Sequence, residues 1–191
     1  MARIIGSPLR YIQGVDEIKN IANDIKDFGT RFLFIVDRPV LDRVKGEIEK
    51  SFSKVKKQIK FETFAGECSM KEIKRLETIA KKFKADCVIS VGGGKGADAT
   101  KVVGYRIKSS VIVFSTAASC DAPCSHSAII YKENGEFDQY YYPSKSPDMV
   151  IVDTKIIAEA PVRLLVAGLG DALSTYFEAR SAYASNRDVN E

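Results

Sequence analysis

No uninterrupted apolar run among the 191 residues approaches the roughly 18 needed to span a bilayer, which excludes a membrane-spanning helix. The opening MARIIGSPLRYIQG has no apolar h-region, so a secretory signal is not expected. Four cysteines, Cys68, Cys87, Cys120 and Cys124, fall at no framework spacing, and Cys87 sits inside an apolar run. A disulfide-stapled secreted fold is therefore not expected, and a reducing cytoplasm fits best. Charge of one sign is missing too. The 29 basic and 25 acidic side chains are mixed along the chain, and a net charge of +4 is too mild to point to nucleic acid. The densest basic run, KSFSKVKKQIK at residues 50–60, reads as a solvated helix end and loop. There is no repeat and no low-complexity tract. What remains is ordinary for a soluble protein with a sizeable core: 45% apolar and 28% charged residues, enough for one large domain or one domain plus part of another.

Apolar spacing organises the chain. Residues 15–28 carry Val15, Ile18, Ile21, Ala22 and Ile25 at helical intervals, with Gly29 as a natural stop. The run FLFIV at residues 32–36 is typical of a strand buried on both faces, with Asp37 directly behind it and Pro39 suited to the next helix start. A strand is predicted at residues 59–64. Ser69 with Glu72 forms a capping-box pattern for a helix running to about Phe83. Then follow a strand at 87–91, three glycines, a helix from about Ala97 to Tyr105 and a strand at 111–114. Such alternation predicts an α/β fold with a Rossmann-like, mostly parallel sheet covered by helices on both faces. Residues 128–131 and 139–142 flank an Asn134-Gly135 turn, which predicts an added β-hairpin. A last strand is expected at 149–152, ended by Asp153-Thr154. From Pro161 onward the pattern is helical throughout, which places a domain boundary near Ala160.

The glycines carry the first chemistry. In VISVGGGKGADATK, residues 88–101, Gly92, Gly93 and Gly94 end a strand and precede a helix. Each glycine costs backbone entropy, so close approach of another group is expected there. At the carboxyl end of a parallel sheet, the free N–H groups of a helix start and the charge of Lys95 suit a diphosphate. The pattern is neither G-x-G-x-x-G nor a P-loop, and a flexible turn with an exposed lysine is an alternative. Asp37, behind its buried strand, can accept hydrogen bonds from the hydroxyls of an adenosine ribose and repel a ribose phosphate, which favours NAD over NADP. Its other reading is a helix cap before Arg38-Pro39.

The segment STAASCDAPCSHSAIIY (residues 115–131) is more specific. Together with GGGKGADATK, PDMVIVDT and APVRLLVAGLGDALSTYFEAR, it closely resembles the metal-dependent glycerol dehydrogenases of the iron-containing alcohol dehydrogenase superfamily. The resemblance runs from Ile5 to about Arg180. It implies an NAD-binding α/β domain at residues 1–160 and the beginning of a helical metal-binding domain at 161–191. It implies oxidation of glycerol to dihydroxyacetone with NAD, zinc in the cleft between the domains, and a homo-oligomer for full-length members. Position by position, Asp37 would hold the adenosine ribose, and Gly93, Gly94 and Lys95 would meet the pyrophosphate. Asp98 would be the acid beside the glycine loop, though an ordinary acid at a helix start is its other reading. Thr116 and Ser119 would line the middle of the cofactor, and Ser125, Ser127 and Tyr131 its nicotinamide half. Asp121 would bind a substrate hydroxyl and steer its proton, making it both substrate-binding and catalytic. Asp171 would be the first metal ligand; without the family it reads as a helix cap behind Gly168 and Gly170.

A catalytic zinc site takes about three protein ligands. The family's two histidines lie downstream of its aspartate, whereas this chain has one histidine, His126, in the cofactor loop. The sequence is therefore expected to be an expressed fragment, a truncated gene product or one half of a split enzyme, with little activity alone. Leu164, Leu165, Leu169, Leu173 and Phe177 are expected to form an exposed apolar stripe. Cys120 and Cys124 straddle Asp121 and read as two buried thiols. Two alternatives stand beside glycerol oxidation: a non-catalytic NAD-binding module, and a dehydrogenase for another small polyol or 1,2-diol.

Overall fold

The structure is a computed structural model that describes residues 6–185; Ile5 and residues 186–191, at the two margins of the resemblance and the helical segment, lie outside the described residues. In chain order the regular elements are β1 (Arg10–Gly14), α1 (Ile21–Asp24), β2 (Arg31–Asp37), α2 (Leu41–Phe52), β3 (Gln58–Phe64), α3 (Met70–Phe83), β4 (Cys87–Gly92), α4 (Gly94–Ile107), β5 (Ser110–Ser115), β6 (Ala128–Tyr131), β7 (Phe137–Tyr141), β8 (Met149–Asp153), α5 (Thr154–Ala158) and α6 (Val162–Ala184). Among the described residues, six strands form one sheet in the order β1-β8-β5-β4-β2-β3, every pair parallel. β6 and β7 form the expected antiparallel hairpin, closed by Lys132 N–H on the Glu136 carbonyl. No helix among the described residues is long and apolar enough to cross a membrane.

Side-chain alternation along the strands splits the core into two layers. Phe32, Phe34 and Val36 of β2 pack with Val44, Ile48 and Phe52 of α2, whereas Leu33 and Ile35 pack with Ile73 and Leu76 of α3 and with Val102 and Val103 of α4. Each such fully buried side chain contributes about 1.5–3 kcal/mol relative to exposure. Because α2 and α4 leave the ends of β2 and β4 for opposite faces, a crevice opens between those two strand ends. That is where an open parallel sheet binds ligands.

Several expectations change. β1 was not expected at all: RYIQG offers Ile12 as its one aliphatic residue, and its partner β8 lies far along the chain. The helix expected over residues 15–28 is instead α1 flanked by two 3-10 turns. Its apolar residues Ile18, Ile21, Ala22 and Ile25 are buried as the spacing implied. However, Asn20, Asn23, Asp24 and Asp27 are poor helix formers, and the Ile18 and Ala22 N–H groups donate to Asp153 Oδ2 and Ser51 Oγ. The capping box of α3 is half closed. Ser69 Oγ accepts from Glu72 N–H at 3.3 Å, but the Glu72 carboxylate turns to Ala65 N–H and Arg75. Residues 50–60 form a helix end, a loop and the start of the edge strand β3.

At the opposite end of the sheet, Asp86 ties two connections together. It accepts from the Thr30 hydroxyl and N–H and the Arg31 N–H, with the Arg31 guanidinium 3.3 Å away. These donors, the Thr30 hydroxyl foremost, hold its carboxyl down to about 2. A carboxyl depressed in the folded state stabilises above its unfolded value of about 3.9 and loses that stabilisation as pH falls toward the folded value. Asp86→Asn is therefore expected to lower the neutral-pH Tm by about 2–4 °C, allowing for solvent screening. It should also flatten the decline of Tm between about pH 4 and pH 2. Thermal unfolding across that range checks both.

Candidate functional site

Asp37 closes β2, and its carboxylate spans the crevice to β4. Oδ2 accepts the Gly93 N–H at 2.8 Å, while Oδ1 is buried and has no donor among the described residues. The side chain makes no cap bond to the turn that follows, so the helix-cap reading is not what the geometry forms. Burial pushes this carboxyl up, partly offset by the Gly93 N–H. The close approach expected at the glycines is now identifiable. A Cβ on Gly92 would stand 2.2 Å from Asp37 Cγ, and one on Gly94 would stand 2.6 Å from Cys120 Sγ. The triplet thus admits a carboxylate on one side and the β5–β6 connection on the other.

α4 begins at Gly94 rather than near Ala97, with Gly93 as a cap residue that offers no side chain. The first N–H groups of α4 therefore have no side-chain acceptor, the arrangement that binds anions at helix starts. Thr116 joins this edge through its N–H, which donates to the Gly92 carbonyl at 3.1 Å. Lys95 turns away from it: Nζ pairs with Glu67 Oε2 at 2.7 Å and sits 4.6 Å above the Tyr131 ring. Its charge is shared with Glu67, a partner no sequence signal announced.

A second group of expected residues meets around a polar cleft of about 420 Å³. Asp98, Asp121, Ser125, Ser127 and Asp171 line it, with Ser174, Thr175 and Glu178 of α6 and Tyr140 and Tyr142 at the hairpin. A second cleft of about 410 Å³ lies across the 117–124 segment and is walled mainly by carbon, from Val150, Val152, Ile157 and Ala118. Convergent polar groups mark the first as the candidate site. Asp121 borders both clefts and is exposed. Its N–H donates to Asp171 Oδ2 at 3.1 Å, which ties the loop to α6.

Asp171 stands well inside α6, not near a helix start behind Gly168 and Gly170, because those glycines are themselves helical. That removes the capping alternative. Gly168 has a different use: a Cβ there would fall 2.1 Å from the Ala118 carbonyl oxygen, so only glycine lets α6 lie on this segment. Ser119 sits under the same contact, its Cα 3.4 Å from that Cβ position.

Asp98 is 7% exposed and is not an ordinary acid at a helix start. Oδ2 accepts Ile129 N–H at 3.0 Å, and Oδ1 lies 2.8 Å from Lys101 Nζ. Burial pushes its carboxyl up against the pull of Lys101. Lys101 itself was missed, although the i,i+3 spacing from Asp98 on one helix could have suggested the pair. The two thiols beside Asp121 are not both buried: Cys120 is half-buried and Cys124 exposed, and both are free. Burial pushes the Cys120 thiol up, so it is no activated nucleophile. His126 borders the polar cleft with its ring 6.1 Å from that of Tyr142.

Among the described residues, no three His, Cys, Asp or Glu side chains converge to hold a metal ion. A catalytic zinc set of about three protein ligands is not assembled by these residues, and Asp171 is its one expected member. The dinucleotide expectation fares differently. An unpartnered Asp37 oxygen, an uncapped helix start and a loop stripped of Cβ atoms fit a ribose and its diphosphate.

The stripe on α6 is present with altered membership. Leu165, Val166, Leu169, Leu173, Tyr176 and Phe177 recur at helical intervals and are 53–65% exposed. Leu164 is half-buried, because it lies on the opposite side of the helix.

Known proteins share this chain's sequence and fold. The chain is 44% identical over 185 residues to a glycerol dehydrogenase of Escherichia coli O6:H1, covering 97% of this chain and 50% of that protein. It is 44% identical over 183 residues to a glycerol dehydrogenase of Thermotoga maritima, covering 94% and 50%. The crystal structure of a probable glycerol dehydrogenase from Sinorhizobium meliloti 1021 superposes with a TM-score of 0.89 at 40% identity, covering 97% of this chain and 50% of that one. The chain thus spans about half the length of the curated relatives it matches. Residues 8–154 match the model of the iron-containing alcohol dehydrogenases, and the chain belongs to that family.

Proposed function

We propose that the chain is the cofactor-binding half of an NAD-dependent glycerol dehydrogenase, oxidising glycerol to dihydroxyacetone once a helical region completes the polar cleft. Residues 1–160 form the dinucleotide-binding domain in this reading, and 161–191 begin the helical one. The observation that carries it is Asp37. One carboxylate oxygen fastens the glycine loop and the other is an acceptor without a donor, at the crevice where β2 and β4 diverge. The 44% identity to proteins named glycerol dehydrogenase supports the substrate. A cytoplasmic setting, a homo-oligomer when complete, and no nucleic-acid or membrane partner accompany this reading.

Bound NAD supplies the hydride acceptor. Asp37 would hold the adenosine ribose hydroxyls, and its charge would reject a ribose phosphate. The uncapped N–H groups at Gly94 and Lys95 would take the pyrophosphate, with Lys95 released from Glu67. Thr116 and Ser119 would border the middle of the dinucleotide, Asp98 would stand beside the glycine loop, and Ser125, Ser127 and Tyr131 would border the nicotinamide side. Asp121, exposed in the cleft and anchored by its own N–H, would accept a hydrogen bond from a glycerol hydroxyl and direct its proton. Acceptor-rich walls from Asp121, Asp171 and Glu178 suit a polyol, whose hydroxyls are donors. Asp171 would contribute to a zinc site whose remaining ligands come from the completing region.

The test is titration calorimetry of NAD+ with Asp37→Ala. Hydrogen bonds to a charged group contribute about 1.5–3 kcal/mol, so affinity should fall by roughly 10- to 100-fold. Unchanged affinity would remove the ribose assignment. A second reading, a non-catalytic NAD-binding module, is favoured by one observation, the unassembled metal set. The two readings differ in turnover, not in cofactor binding.

A further inference from the structure

We propose that Lys101 is a positioning residue whose buried ammonium holds residues 122–127 against α4 and thereby sets where Asp121, Ser125 and Ser127 stand. Lys101 is 3% exposed, and no sequence motif gave it a role. Its Nζ donates to the carbonyls of Ala122 at 2.9 Å, Ser125 at 3.1 Å and, more closely, Ser127, and lies 2.8 Å from Asp98 Oδ1. An ammonium has three donors, and here three main-chain oxygens of one irregular segment take them. That segment bonds little within itself: Cys124 N–H reaches the Asp121 carbonyl, Ser127 N–H reaches Ser125 Oγ, and the Ser125 and Ser127 hydroxyls pair at 2.6 Å. Carbonyls turned inward from such a loop need a donor, and Lys101 supplies it.

Asp98 completes the device. One oxygen balances the ammonium and the other takes the Ile129 N–H where β6 begins, so residues 122–129 are pinned to a single turn of α4. Among the described residues, Asp37 and Gly93 bond to each other and share no hydrogen bond with this cluster. The consequence rests on the cofactor reading above: Lys101 should govern contacts with the nicotinamide half and leave the adenosine half alone.

The experiment uses the 191-residue chain, Lys101→Met, and the double variant Asp98→Asn/Lys101→Met, which strands no charge. Amide hydrogen exchange is measured by mass spectrometry, and NAD+ and ADP-ribose are titrated calorimetrically. In a folded variant, exchange across residues 121–129 should rise about tenfold or more while peptides from β2 and β4 stay unchanged. NAD+ affinity should fall about tenfold, toward that of ADP-ribose, whose own affinity stays within about twofold. Unchanged exchange in either folded variant overturns the proposal. So do equal losses for the two ligands, and so does failure of both variants to fold, which would make Lys101 a core residue and not a loop anchor. If the unaltered chain binds neither ligand, the cofactor reading fails, and exchange alone still decides the role of Lys101.

Discussion

Mixed with the separately expressed second half of a full-length relative, the chain is expected to reduce NAD+ with glycerol roughly a thousandfold faster than it does alone. The cleft explains the size of the effect. One wall carries Asp98, Asp121, Ser125 and Ser127, and α6 adds Asp171, Ser174 and Glu178, but among the described residues nothing covers the outward side of α6. Removing one preorganised electrostatic element from an active site costs about 10²–10³ in rate. Among the described residues no three His, Cys, Asp or Glu side chains converge to hold a metal ion, so the second half is expected to supply that element and the cover over the cleft. The apolar stripe would drive that assembly, since Leu165, Leu169, Leu173 and Phe177 are 53–65% exposed and each would gain about 1 kcal/mol or more on burial. NADH absorbance measured with and without the second half gives the answer. Equal rates would mean that the chain is a binding module or that it needs no completion.

In the assembled protein, Asp121→Asn is expected to lower kcat for glycerol by about 10²–10³, the range a positioned proton-transfer group supplies. The substitution leaves the main-chain N–H on Asp171 Oδ2, so the loop keeps its tie to α6 and only the carboxylate chemistry is lost. NAD+ affinity should therefore stay within about twofold. A kcat within about threefold of the parent would leave Asp121 as a loop residue, with no part in proton transfer.

The elements most easily read in the sequence are the ones whose cause is local. The continuous runs of β2, β4, β5 and β8 are buried on both faces, and such strands announce themselves without periodicity. Ser69 marks the start of α3 because its hydroxyl meets an N–H three residues away. β1 gave no comparable sign, since its register on β8 is set by tertiary pairing. The same division runs through the site. Asp37 and the glycines stood out as residue types, but the bond between them crosses the sheet and only the fold reveals it. The cap alternative for Asp171 arose because Gly168 and Gly170 resemble a break; Gly168 is in fact the point where α6 lies on the Ala118 carbonyl. Lys101 sat unnoticed inside a quoted motif, because its meaning depends on three carbonyls from a loop with no pattern of its own.

The central claim is that Asp37 and the bare start of α4 together cradle an NAD dinucleotide, and parallel titrations of NAD+ and NADP+ into the unaltered chain test it most directly. The predicted result is saturable one-to-one binding of NAD+, with NADP+ weaker by about tenfold or more because its phosphate meets the Asp37 carboxylate. Equal affinities, or no saturable heat with either dinucleotide, would contradict it.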